Sequence, residues 1–356
     1  MITSKYIRMR MITALLLLLS GCASTNLTGN AEYLKPPVQA FYATNRNHTG
    51  QQAESGQKYG AERSMMSYGI ADVAIPQDHR IGRVIHATFD KEKHREINYL
   101  QLTELNREEL LNNLTKTVAV SEEKALLLYV HGFNMTFNEG ARGIGQIVSD
   151  LDFKGSSLFF SWPSRGHVNS YEDDEAGILW AEKDLVTVLE EVALRSGSKT
   201  IYLMGHSLGA RGLSRALLEL LGKKPQLKTY FKALILTAPD INADVFKNEI
   251  GPALAKTGVR VTLYVSGKDR ALTLSERVHG VRRLGNANGK PIIIPGIETV
   301  DATNINTGFF GHSYHSDSRS VLSDIYYILK KDLRADERFS LKAIDTASGR
   351  YWIFKD

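Results

Sequence analysis

The chain has 356 residues, 43% of them hydrophobic and 23% charged, with a formal net charge of +5. That balance supplies a full apolar core and excludes a disordered, fibrous or many-span membrane protein. Three positive charges, Lys5, Arg8 and Arg10, lie in a segment read below as removed; +5 less three leaves +2, which argues against nucleic acid as a partner.

The chain opens with "MITSKYIRMRMITALLLLLSGCAS", a basic head, an apolar run from Met11 to Leu19, then small residues. This is the layout of a secretory signal, and the run is far shorter than the ~20 residues of a membrane span. It ends in Leu19-Ser20-Gly21-Cys22, which resembles a bacterial lipobox. The resemblance implies that residues 1–21 are a signal peptide, that Cys22 carries lipid on its thiol and new amine, and that the chain sits on the bacterial envelope. By analogy with bacterial lipoproteins, Ala23 and Ser24, where an aspartate could stand, point to the outer membrane. Cys22 is the only cysteine, so no intramolecular disulfide can form. Residues 22–37 are polar, end in Pro36-Pro37, and read as a tether.

Folded sequence spans 38–338. "VQAFYATNR" (38–46), "YGIADVAIP" (68–76), "RVIHATFD" (83–90) and "INYLQLTEL" (97–105) have strand character, and the polar, glycine-rich 47–64 reads as a loop. From Ala125 apolar strands alternate with helices. The strands are 125–130, 156–162, 200–204, 232–238, 260–266 and 290–300; the helices run near 138–150, 172–195, 208–221 and 320–331. Near-continuous Val, Ile and Leu runs call for strands buried on both faces, hence a mostly parallel, doubly wound α/β sheet covered by helices on both sides. Residues 339–356 read as a hairpin turning at Ser348-Gly349 and packing Tyr351, Trp352 and Phe354 on the body.

"TIYLMGHSLGARGLSRALLEL" (200–220) places Gly205-His206-Ser207-Leu208-Gly209 where a strand turns straight into a helix. This is the pattern of a nucleophile elbow, which lifts a serine hydroxyl above the sheet and aims a helix N-terminus at the reacting atom. A serine nucleophile needs a base and the base needs an orienting acid. The base comes from "TGFFGHSYHSDSRS", after the last sheet strand. His312 is preferred because it follows the glycine-bearing turn; His315, nearer the helix, is the alternative. For the acid, Asp269 in "YVSGKDRAL" is preferred over Asp240 in "LTAPDIN", since it follows the last strand before the histidine loop, although either could be a turn former or helix cap. The oxyanion hole takes the N–H of Leu208 and one from Phe133 or Asn134 in "YVHGFNMTF", with His131 bracing that loop. Aromatics and methionine at the same sheet edge, among them Met135, Trp162 and Phe309, suggest an apolar acyl pocket. About twenty residues separate "LILTAPD" from "RVTLYVS", too few for a folded cap there, so an open cleft accepting short or exposed esters, rather than a lidded lipase site, is expected.

Two other signals read structurally. "GARGIG" (140–145) fits no nucleotide-binding spacing and reads as a packed helix face. The acids of "YEDDE" (171–175) suit a helix start, with calcium as the other reading. His312 and His315 lack a visible third ligand, so no metal or other cofactor is called for.

In order, "VHGFNMTFNEGARG", "FFSWPSRG", "GHSLGARGL", "LTAPDI", "YVSGKDRAL" and "GHSYH" resemble the bacterial α/β-hydrolases filed as a domain of unknown function, as do "FYATNR" and "YGIADVAIPQDHRIG". The resemblance covers about Val38 to Lys331. It implies an α/β-hydrolase fold and an esterase- or lipase-like serine hydrolase, with Ser207 as nucleophile and His312 at the Gly-His-Ser-Tyr position. His315 stands where the family more often has an aromatic. The substrate class is then a small-molecule or lipid ester. The contrasting reading is an envelope scaffold that keeps the fold with vestigial catalysis; oligomeric state is left open.

Overall fold

The computed structural model describes residues 36–50, 58–83, 97–288, 290–305 and 311–355. The signal segment, Cys22, most of the tether, Val84–Asp90 and Phe309 lie outside them. The described strands form one sheet: β1 (Val38–His48), β2 (Tyr59–Ala74), β3 (Asn98–Leu105), β4 (Ala125–Val130), β5 (Ser156–Ser161), β6 (Thr200–His206), β7 (Phe231–Thr237), β8 (Arg260–Val265), β9 (Ile297–Asp301), β10 (Leu341–Thr346) and β11 (Gly349–Phe354). Their spatial order is β10-β11-β9-β8-β7-β6-β4-β5-β1-β2-β3. From β11 to β1 every pairing is parallel, and β10, β2 and β3 join antiparallel at the edges.

The apolar runs follow from burial on two sides. Leu126, Leu128 and Val130 of β4 enter one core, whereas Ala125, Leu127 and Tyr129 enter the other. Helices α1 (Arg107–Val120), α2 (Phe137–Asp150), α3 (Tyr171–Arg195), α4 (Leu208–Lys223), α5 (Gly251–Thr257), α6 (Arg270–His279) and α7 (Arg319–Lys331) cover the faces. The first core takes Leu110 of α1, Leu185 of α3, Leu217 of α4 and Leu254 of α5. The second takes Ile144 of α2 and Ile325 of α7, together with Trp352 and Phe354 of β11, whose strand adds to the sheet beside β9.

Several elements differ from the sequence reading, the unanticipated helices α5 and α6 among them. The run expected over 290–300 is strand only from Ile297, because Pro291 and Pro295 cannot donate to a ladder and Gly296 turns at φ +85°. Strand β2 begins at Tyr59, within the stretch read as loop. Helix α1 was not anticipated, although a capping box marks its start: the Asn106 side chain accepts from the Glu109 N–H, and the Glu109 carboxylate accepts from the Asn106 N–H.

Chain order reverses at β4, with β5 on one side of it and β6 on the other. The carboxyl ends of β4 and β6 therefore flank the crevice where open α/β sheets bind ligands.

Candidate active site

Ser207 stands at the end of β6 with φ 52° and ψ −121°, a conformation that costs a non-glycine residue energy and persists only when its surroundings enforce it. Here the Ser207 N–H donates to the Thr237 carbonyl at 3.0 Å, and the Ser207 carbonyl accepts from Ala210 and Asp240 at 3.1 and 3.2 Å. The flanking glycines permit the crossing. A Cβ on Gly205 would lie 2.7 Å from Ala210 Cα, and one on Gly209 would lie 2.2 Å from the His131 carbonyl oxygen.

His312 and Asp269, which the sequence separates by 43 residues, meet here. His312 Nδ1 donates to Asp269 Oδ2 at 2.8 Å. With Nδ1 so committed, Nε2 is the ring nitrogen able to take up a proton. Asp269 is fully buried, and its other oxygen accepts the Leu272 N–H at 2.9 Å as the N-cap of α6. One carboxylate thus caps the helix and orients the histidine. Burial works to lower the His312 pKa, but the charge and hydrogen bond of Asp269 outweigh it and hold the pKa above the ordinary histidine value.

The two alternatives are occupied elsewhere. Asp240 accepts from Tyr171 Oη at 2.5 Å, from Ser275 Oγ at 3.0 Å, and pairs with Arg283 at 3.2 Å. It is the centre of a buried ion-pair network. His315 lies behind the site with its ring 4.2 Å from that of His206 and its Nε2 3.4 Å from Tyr129 Oη; burial and the neighbouring His312 push its pKa down to about 3. His206 in turn donates from Nε2 to the His312 carbonyl at 3.2 Å, fixing the backbone of that loop.

Leu208 opens α4, so its N–H has no partner in a preceding helical turn. Of the two second donors expected, the structure corrects one. The Asn134 N–H points at Asp174 Oδ2 at 3.1 Å and is unavailable to a substrate; Asn134 itself is left-handed at φ 57°. Phe133 lines the cleft, and among the described residues its N–H has no backbone acceptor. Asp174 holds this loop from α3. It also accepts from Ser164 Oγ at 2.5 Å and from the Arg165 N–H at 2.7 Å. Nothing in the acidic run 171–175 distinguishes it from its neighbours except that it falls on the buried face.

Beneath the loop, His131 stacks on Trp162 at 5.1 Å, and the Trp162 indole N–H donates to the His131 carbonyl at 2.8 Å. Burial, then the charge of Arg46, push the His131 pKa down to about 3. The wholly buried Arg46 donates to the Met135 carbonyl at 2.7 Å and to Ser164 O at 2.9 Å, a brace that the strand pattern of 38–46 does not reveal. These contacts correct the expected acyl pocket. Trp162 is core, and Met135 is held by its backbone to Arg46 and Ser164; neither lines the cleft.

The cleft has a volume of about 570 Å³ and contains Ser207 and His312. Its lining includes Phe133, Val168 and Tyr171 together with Ala271, Leu274 and Val278 of α6. Among the described residues no group of three or more His, Cys, Asp or Glu side chains is placed to hold a metal ion.

Residues 106–330 match the family described as alpha/beta hydrolase of unknown function (DUF900). No curated protein matches the chain. Among solved structures, an uncharacterized protein from Bacillus cereus is 14% identical, with a TM-score of 0.39 over 60% of this chain and 61% of that one. Carboxylesterase CesB from Bacillus subtilis is 10% identical, with a TM-score of 0.36 over 78% and 90%. The esterases of the fungus Rhizomucor miehei are represented at 10% identity and a TM-score of 0.32 over 76% and 81%.

Proposed function

Because the chain belongs to the α/β-hydrolases of unknown function, we propose that it cleaves carboxylic esters through an acyl-enzyme on Ser207. The observation that carries this reading is the His312–Asp269 hydrogen bond of 2.8 Å on the cleft that also holds the strained Ser207. Ser207 Oγ attacks the ester carbonyl carbon while His312 Nε2 takes its proton. The oxyanion forms against the N–H groups of Leu208 and Phe133 at the positive end of α4. His312 then returns the proton to the departing alcohol. Water, activated by the same histidine, attacks the acyl-serine and releases the acid.

Purified Ser207→Ala and His312→Ala should each lower nitrophenyl ester hydrolysis by at least ~10³-fold with an unchanged circular dichroism spectrum, and Asp269→Asn should fall between them and the parent. An alkyl phosphonate should label the parent protein and not Ser207→Ala. Equal inactivity of parent and Ser207→Ala on every ester, together with no labelling, overturns the proposal.

The lipobox supports a second part of the proposal, that lipid on Cys22 anchors the mature chain to the bacterial envelope. Cys22→Ser protein should then stay in the aqueous phase on detergent partition. Incorporation of labelled fatty acid by Cys22→Ser would refute the anchor.

A further inference from the structure

We infer that the outer half of the cleft is a groove for a medium-length acyl chain, with Leu274 and Val278 of α6 setting the chain-length preference. This rests on the serine-hydrolase reading above and names its substrate class.

Helix α6 starts at Asp269, whose carboxylate holds His312, so its first turn lies beside the proposed catalytic pair. Its far end is fixed at His279, whose Nε2 lies 2.9 Å from Glu175. Ala271, Leu274 and Val278 follow one another at helical spacing and all line the cleft. They form a strip leading outward for about 10 Å at 1.5 Å per residue, the reach of an extended chain such as octanoyl. Leu274 is 59% exposed and Val278 56% exposed, and Val168 on the same lining is 70% exposed. Phe133 and Tyr171, in ring contact at 5.2 Å, line the same cleft, and Tyr171 Oη lies 3.0 Å from Ser275 Oγ of α6.

Large apolar side chains from two separate elements are therefore left in water on one concavity that ends at a serine. That pattern marks a site for an apolar ligand. The concave shape favours a chain laid lengthwise over a flat partner surface. Asp240 on the lining makes no competing demand, because both its oxygens are already bonded to Tyr171, Ser275 and Arg283. Glu172, Asp173 and Arg270 lie on the cleft lining as well, and Asp173 sits 3.6 Å from Arg165.

The test compares kcat/KM for nitrophenyl acetate, butyrate, hexanoate and octanoate below their aggregation limits. In the parent protein each added methylene that enters the groove should raise kcat/KM by up to about fourfold. In Leu274→Asp/Val278→Asp, whose changes fall at exposed positions, the octanoate-to-acetate ratio should drop at least about tenfold, the low end for burying one such side chain. Leu274→Met/Val278→Ile should keep the parent ratio. A parent ratio favouring acetate, or an unchanged ratio in the aspartate variant, overturns the groove. A second arm works without turnover: octanoate binding to Ser207→Ala, measured by calorimetry, should be weakened by the two aspartates. If no ester is cleaved yet this binding is lost with the aspartates, the groove stands and the esterase reading fails. If octanoate binds neither protein, the groove fails.

Discussion

Helix α4 offers the same substitution at both ends with opposite expected signs. Gly209 sits under the crossing of β4 and the elbow. An alanine Cβ there would lie 2.2 Å from the His131 carbonyl oxygen and 2.5 Å from that of Val130, each about an ångström short of the 3.4 Å of ordinary contact. Both obstacles are backbone, so neither can swing aside as a flexible side chain would. The elbow and the β4 loop must separate, which costs about 1–3 kcal/mol or more. A displacement near 1 Å between Ser207 and its donors can also cost on the order of 10²-fold in rate. Gly222, in the last turn of the same helix, has nothing within 4 Å of the corresponding Cβ. Gly222→Ala should therefore stabilise by roughly 0.5–1 kcal/mol, through helix propensity alone. Urea unfolding followed by tryptophan fluorescence measures both, and ester turnover and phosphonate labelling report the elbow. Gly209→Ala as stable as the parent, or as fast in acylation, refutes the close-approach account.

Three further outcomes follow from the electrostatics. Since Asp269 raises the His312 pKa, the acidic limb of ester kcat/KM should lie above the ordinary histidine value, and Asp269→Asn should move it to lower pH as well as slow the reaction. His312 is a group whose charged form the fold favours. Its contribution to stability is fully present below the unfolded histidine pKa and is lost as pH rises through the raised one, so the stability difference between the parent and His312→Gln should shrink across that window in urea titrations. Asp240→Ala should behave differently from Asp269→Asn. It strands the buried Arg283 guanidinium at a cost of about 3–5 kcal/mol in urea unfolding, while the acidic limb of the surviving activity moves down less than in Asp269→Asn, because the Asp240 charge raises the His312 pKa less than Asp269 does.

The sheet was readable because its strands are buried on both faces. Runs such as 125–130 then lack the alternation that would make them ambiguous with surface strands. The serine was readable because the elbow leaves a local trace, two glycines where backbones nearly touch. The acyl wall left a trace that composition alone obscured. Leu158, Phe160 and Trp162 share one core at period two, so Trp162 belongs inside with its strand neighbours rather than on the cleft. Asp174 left none: its role depends on which face of α3 is buried and on a loop forty residues earlier.

The choice between His312 and His315 shows most sharply what the fold adds. Four histidines, His131, His206, His312 and His315, gather around the elbow, and desolvation acts on all of them in the same direction, against the imidazolium. His131 and His315 are pushed down to about 3, and His206 falls well below its ordinary value. Only His312 rises, because only His312 has a carboxylate at hydrogen-bond distance. Its neighbours, held neutral, add no competing fixed charge beside it and serve as packing and hydrogen-bond supports. What singles out the proposed base is thus the position of Asp269, forty-three residues back and fixed by capping α6. Moving that carboxylate should abolish the distinction. In Asp269→Asn, nuclear magnetic resonance titration of the ring protons should show His312 joining the other three below the ordinary histidine value. A His312 that still titrates above it would mean that some group other than Asp269 selects the base.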